Sequence, residues 1–202
     1  MRFRMNKRLF LRRRFFSALF FLIFSLSASV HASVYSLSDQ PSRISFSGKS
    51  TLHAFEGHAH QVRGRIQYDP KTGESALPLE IEIPSALLET ENAGRDRGMH
   101  QMFESSRFDK LLWSADHLEC TPLSGRGLAA CKAEGRLRIR GIERPLSFLV
   151  QIQGHPDELK TESHFFISLK DFQLKPPSVL GVIRVSDLIK VDIQAVWKRE
   201  SL

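Results

Sequence analysis

The 202-residue chain predicts an all-β fold: an eight-stranded antiparallel up-and-down β-barrel with one short helix at a mouth. Three observations predict it. Apolar and polar residues alternate with period two along most of the chain beyond residue 32, while helical periodicity appears once. Short Gly-, Pro- and Asp-containing turns join most of the alternating runs, as an antiparallel meander requires. Each run has one apolar and one polar face, and no set of helices is available to cover the apolar side. Closing the sheet on itself buries that side and removes the edges.

The strands follow in order. Arg43–Ser50 is the first, and Ala54–Ala59 continues into the Val62 run as the second. In that run Val62, Gly64, Ile66 and Tyr68 share a face opposite Arg63, Arg65 and Gln67. After a turn at Pro70–Gly73, Leu77, Leu79, Ile81 and Ile83 alternate with Pro78, Glu80 and Glu82. Met99, Met102 and Phe103 recur at i, i+3 and i+4 within Arg95–Ser105, which predicts the helix. A helix this short is stable only when docked, and one mouth of the barrel is the place for it. Asp96 is the candidate cap of this helix, with Arg95 and Arg97 either solvated or facing an anionic head group at the rim.

Leu111–Cys120 is the next strand and sets Leu111 and Trp113 on one face. Leu137 and Ile139 then oppose Arg136, Arg138 and Arg140. Leu146, Phe148, Val150 and Ile152 alternate with Ser147, Gln151 and Gln153, and Phe165, Ile167 and Leu169 share a face after them. Ile189, Val191, Ile193, Ala195 and Trp197 close the series. No internal repeat, linker or low-complexity stretch interrupts residues 33–202, which read as one domain.

The segment before them reads as a cleaved signal peptide. Residues 1–14 are basic, Phe15–Leu26 is apolar, and Val30-His31-Ala32 offers a cleavage site before Ser33. Twelve apolar residues span about 18 Å as a helix, short of the roughly 30 Å hydrocarbon core. The mature protein, 33–202, is therefore expected in the periplasm or secreted. The Phe- and Leu-rich core fits the general secretory route, although Arg12-Arg13-Arg14 resembles a twin-arginine signal.

Charge supports this division. The formal charge of +7 suggests an acidic partner until the charges are located. Residues 1–32 hold seven basic side chains and no acid, so the 29 basic residues fall to 22 in the remainder, against 22 acidic ones. The basicity belongs to the leader, and a nucleic-acid partner loses its electrostatic basis. Outside the cytoplasm the two cysteines are expected to be oxidised. Cys120 and Cys131 flank TPLSGRGLAA, which reads as a hairpin connection whose arms would set them opposite one another. A pair of buried thiols is the alternative.

At this point the chain resembles a known family. Residues 45–70 (SFSGKSTLHAFEGHAHQVRGRIQYDP), the Ile-rich strand ending in Pro84-Ser85, and Glu91-Asn92 followed by Arg95-Asp96 fall in the order of the YceI-like, polyisoprenoid-binding proteins. FDKLLWSADHLE (108–119), RIRGIERPLSF (138–148), ISLKDFQL (167–174) and Ser186-Asp187 continue the series. The resemblance covers nearly all of residues 34–198. It departs from the commoner pattern around Lys170–Arg184, where Lys175-Pro176-Pro177 replaces a Gly-containing turn after the Asp-Phe pair.

The resemblance implies a lipocalin-like, eight-stranded barrel that carries a long apolar ligand, an isoprenoid or a fatty-acid-like lipid, in an elongated pore. The lipid-contacting residues it implies are Ile66, Tyr68, Leu79, Ile81, Leu111, Trp113, Leu137, Ile139, Phe148, Val150, Phe165, Ile167, Val191 and Ile193. Met99 and Met102 would add adaptable surface at the entrance. The plainer alternative is that these side chains fill the core, since an eight-stranded barrel has room for a small ligand or for side chains.

His53, His58 and His60 offer a second reading, a metal- or redox-linked envelope protein that handles a quinone. His58 and His60 share a strand face, but no close carboxylate or cysteine other than Glu56 completes a ligand set, so no metal is expected. No nucleophile elbow, H-E-x-x-H or glycine-rich phosphate loop is present, and no enzyme activity is expected. The expected partner is a long-chain apolar small molecule, with transient membrane contact and no nucleic acid. Nothing in the sequence indicates an oligomeric state.

Overall fold

The computed structural model describes residues 33–123, 127–176 and 185–201. The proposed leader lies outside these residues, as does 177–184, most of the segment that departs from the family pattern. Ten strands are present: β1 (Ser33–Lys49), β2 (Ala54–Ala59), β3 (Arg63–Tyr68), β4 (Ser75–Pro84), β5 (Leu88–Glu89), β6 (Lys110–Pro122), β7 (Leu128–Ile139), β8 (Ile142–Gly154), β9 (Glu158–Ser168) and β10 (Leu188–Arg199). One helix, α1 (Ala93–Phe103), precedes β6. Eight strands form a closed antiparallel barrel in the order β10-β9-β8-β7-β6-β4-β3-β1, with β1 returning to β10.

The second expected strand is two. β2 ends at Ala59, and Gln61 takes a left-handed conformation (φ 52°) before β3 starts at Arg63. The break lets one strand serve two neighbours. The first half of β1 pairs with β3, from Ser33↔Tyr68 to Ser36↔Arg65. Its second half pairs with β2, from Ile44↔Ala59 to Lys49↔Ala54. β2 in turn pairs with the short β5, so β2 and β5 extend the wall at one end beside α1.

The helix also begins earlier than expected. Asn92, not Asp96, is its N-cap, and the Asn92 side-chain oxygen accepts from the Arg95 N–H at 2.9 Å. Asp96 reaches back instead to Thr90, accepting from its backbone N–H at 2.9 Å and from its hydroxyl. That ties the first turn of α1 to the chain leaving β5. At the other terminus Glu104 closes the helix in a left-handed conformation.

The two ends of the barrel are built differently. At one end Tyr35, Tyr68, Cys131, Ile152 and Leu159 are almost wholly buried and fill the interior. Cys120 and Cys131 face each other across β6 and β7 and form a disulfide, with Cα atoms 4.0 Å apart. The hairpin geometry inferred from their spacing is the one found. The Tyr35 hydroxyl donates to the carbonyls of His155 and Pro156, at 3.3 and 3.1 Å. Burial pushes the pKa of both tyrosines above the usual phenol value, since it disfavours the charged form. The other end, beside β2, β5 and α1, is hollow.

Candidate functional site

The hollow is a cavity of about 610 Å³ walled by strands from every side of the barrel. β10 contributes a full stripe, Ile189, Val191, Ile193, Ala195 and Trp197, because alternate residues of a strand share a face. β1 and β2 bring Phe46 and Phe55, and α1 lays Met99, Met102 and Phe103 across the wall. Glycine makes room for the rings. A Cβ at Gly57 would lie 2.3 Å from the Phe46 ring and 2.5 Å from the Glu89 carbonyl oxygen. Trp113, Phe148 and Phe165 form an aromatic run, with ring centroids 5.0 Å and then 4.6 Å apart, the second pair stacked.

Of the sixteen residues the resemblance implies, eleven line the cavity: Ile81, Met99, Met102, Leu111, Trp113, Leu137, Phe148, Phe165, Ile167, Val191 and Ile193. Five lie elsewhere. Ile66, Tyr68, Leu79 and Ile139 are buried in the packed core without reaching the cavity wall. Val150 borders a groove on the outside of the barrel, at the point where β8 and β9 meet. Phe103, read only as a helix-packing residue, lines the cavity too, and so do Ile44, Phe46, Phe55 and Leu88, which the sequence did not single out. The alternation of Ile44 with Phe46 in β1 was their one legible signal.

The wall has a polar corner. Ser50 and His53 approach from the β1–β2 turn, and Thr90, Asn92 and Arg95 from the start of α1. Arg95 is the one fixed charge among the described residues of the wall, and no carboxylate joins it there. Its side chain is held in place. Nε donates to the Thr90 hydroxyl at 2.8 Å, Nη2 donates to the Thr90 carbonyl at 2.8 Å, and the guanidinium lies 5.2 Å from the Phe55 ring centroid. Arg97 is exposed and does not line the cavity.

The two tryptophans differ in one respect. The Trp197 indole N–H donates to the Thr161 hydroxyl at 3.0 Å. Trp113 is equally buried, yet its N–H meets no acceptor among the described residues.

The histidines do not converge. His60 faces Glu89 at 3.6 Å and His58 faces Glu56 at 4.0 Å, while His53 stands at the cavity mouth. Among the described residues no group of three His, Cys, Asp or Glu side chains is placed to hold a metal.

Comparison with known proteins follows from this geometry. The YceI-like domain family matches residues 35–197. Among solved structures, a polyisoprenoid-binding domain from Saccharophagus degradans, implicated in plant cell wall breakdown, superposes with a TM-score of 0.67 at 14% identity. The match covers 82% of this chain and 98% of that one. BcnA of Burkholderia cenocepacia gives 0.65 at 13% identity, covering 79% and 98%. The YceI protein of Campylobacter jejuni gives 0.59 at 21% identity, covering 72% and 85%. At these identities the likeness is one of fold. No curated protein sequence matches the chain.

Proposed function

The chain belongs to the YceI-like family, and from that premise we propose that it is an exported carrier that holds a long-chain lipid, an isoprenoid or a fatty-acid-like chain, inside the barrel. The observation that carries this reading is the cavity: about 610 Å³, walled mainly by aliphatic and aromatic side chains, with its polar groups at the mouth apart from Ser45. That volume lies in the range of small-molecule sites, whose walls are mostly apolar with a few placed polar groups. The work is desolvation. Each CH₂ moved from water to the cavity contributes about 0.8 kcal/mol, so ten contribute roughly 8 kcal/mol before ordering costs. Micromolar binding takes about 8.2 kcal/mol, so a chain of more than ten carbons covers those costs without a catalytic group or a metal.

The fixed guanidinium of Arg95 supports an amphiphile whose acidic end stays at the mouth while its chain runs inward. The metal-linked alternative has no donor set among the described residues to support it. The basic, apolar leader supports export, and a disulfide between Cys120 and Cys131 suits an oxidising compartment.

Organic extraction of protein purified from its native host, followed by mass spectrometry, tests the reading. A long-chain lipid should co-extract in near-stoichiometric amount, from a chain that begins at Ser33. Stripped protein should rebind a polyprenyl chain saturably, read by tryptophan fluorescence. Folded protein that arrives empty and answers no long-chain lipid saturably would refute the carrier.

A further inference from the structure

The barrel wall is not sealed by backbone hydrogen bonds all the way round. β8 is paired with β7 from Ile142 to Gln153, and β9 with β10 from Glu158 to Ser168. The pairing between β8 and β9 themselves runs only from Gly154↔Leu159 to Val150↔Ser163. Beyond that rung, residues 142–149 of β8 and 164–168 of β9 share no ladder. The two strands part in the half of the barrel that is hollow.

What closes this fork is side chains. At its far end the turn Lys170–Phe172 packs against β8 with Phe172 and Leu174 buried, and Arg140 Nη2 donates to the Gln173 carbonyl at 3.1 Å. At its base the Ser163 hydroxyl donates to the Leu149 carbonyl at 2.6 Å. Between these two fixed points stand Phe148 and Phe165, stacked on each other, half-buried, and both lining the cavity. On the outer face Leu149 is 73% exposed and Phe166 58% exposed. An external groove lies at the base of the fork, bordered by Leu149, Val150, Ser163 and His164. Ser45 and Ile193 border both this groove and the cavity, so one layer of side chains separates the two.

We propose that the lipid chain enters and leaves sideways, through the fork between β8 and β9, with Phe148 and Phe165 as its gate. Elsewhere a side entrance would require breaking consecutive ladder hydrogen bonds and leaving their donors and acceptors unpaired. Here two stacked rings swing apart and no ladder bond breaks. The passage suits an apolar chain. Leu149 and Phe166 flank it outside, and the Phe148 and Phe165 rings replace one another's contact with contact to the chain. A chain entering here reaches the cavity at its middle, beside Trp113, rather than threading from the Arg95 mouth.

The route rests on the carrier reading, and its test separates the two. Continuing the register beyond Val150↔Ser163 sets Ser147 opposite Phe166, and both side chains are exposed and outside the cavity wall. Cysteines at both positions (Ser147→Cys with Phe166→Cys), bridged by a short bis-maleimide, should hold the fork shut. Stopped-flow uptake of cis-parinaric acid should then slow at least tenfold while its equilibrium affinity stays within twofold. The same protein capped with a monofunctional maleimide is the reference, and it should fill at least tenfold faster than the bridged one. Phe165→Ala should fill severalfold faster than wild type, and this variant decides the matter alone if the bridge does not form. An unchanged rate in the bridged protein or in Phe165→Ala overturns the route, as does equal slowing by the monofunctional cap. A protein that takes up no probe at equilibrium fails the carrier reading, and the route with it.

Discussion

The filled end and the hollow end of this barrel use the same strands and the same alternation, yet they do opposite things with them. At the filled end Tyr35, Ile152 and Leu159 are at most 1% exposed, and the Trp197 N–H, between the two ends, has its acceptor. At the hollow end Phe46, Phe55, Phe148, Phe165 and Ile167 are half-buried and face a void, and the Trp113 N–H there has no acceptor among the described residues. Interiors are normally packed to crystal-like density, and every lining atom of a void forfeits contacts. The filled end supplies the stability that lets the hollow end stay open. Capacity and stability are divided along the length of single strands.

This division can be broken by truncation at each end. Leu159→Ala should cost about 2–5 kcal/mol in urea unfolding, the range for a fully packed aliphatic side chain. Phe55→Ala should cost less than half as much, because its ring already borders empty space, while weakening lipid binding more than Leu159→Ala does. Equal destabilisation at the two sites would mean that the cavity wall is as well packed as the closed end.

The disulfide sharpens the contrast. It closes a short loop at the filled end, with a sequence separation of 11 between the cysteines. Replacing both by serine should lower stability by about 3 kcal/mol on the chain-entropy estimate. Lipid affinity of the folded protein should be unaltered within twofold. A parallel loss of affinity would show that the filled end shapes the cavity as well as supporting it.

The tryptophans give the smallest effect and the most direct contrast. Trp197→Phe strands the Thr161 hydroxyl and should cost about 1–2 kcal/mol, whereas Trp113→Phe removes a donor that is already unpaired and should cost markedly less. Thermal denaturation of the two variants under one buffer reads the difference. Both indoles line the cavity, so each single-tryptophan protein should also change emission when the lipid is stripped. If Trp113→Phe proved the more damaging of the two, its N–H would have a partner that the described residues do not show.

Much of this was legible in the sequence because period-two alternation states which way a side chain points. The eight barrel strands, the inward stripes and the pairing of Cys120 with Cys131 follow from parity and turn chemistry, except that β1 begins at Ser33, ten residues before the expected Arg43, and that unread half is the part that pairs with β3. Parity says nothing about depth. Ile139 has the same parity as Leu137, and Val150 the same as Phe148, but Ile139 lies in packed core and Val150 at the base of the fork. The break between β2 and β3 was hidden for a different reason. It falls on Gln61, a residue type that rarely takes a left-handed conformation, so no glycine or asparagine marks it. The cap of α1 was misassigned to Asp96 because Asn92 and Asp96 are both good caps. Only the location of Thr90 shows which of them is occupied elsewhere.

The pairing of β1 with β10 has a consequence for how the molecule comes into being. Register runs from Tyr35↔Arg199 to Ser47↔Lys190, so the first strand to leave a ribosome or a translocon waits for the last. Until then β1 and β9 each present an open edge, the kind of template on which chains aggregate. Entropy adds a modest cost, because closing a loop of this length is only logarithmically harder than closing a short one. The delay is the larger hazard, since non-local pairings form slowly and late. A chain stalled before residue 188 would hold every other strand of the barrel and still be open, which makes the arrival of β10 the natural point of rescue by a chaperone or of attack by a protease.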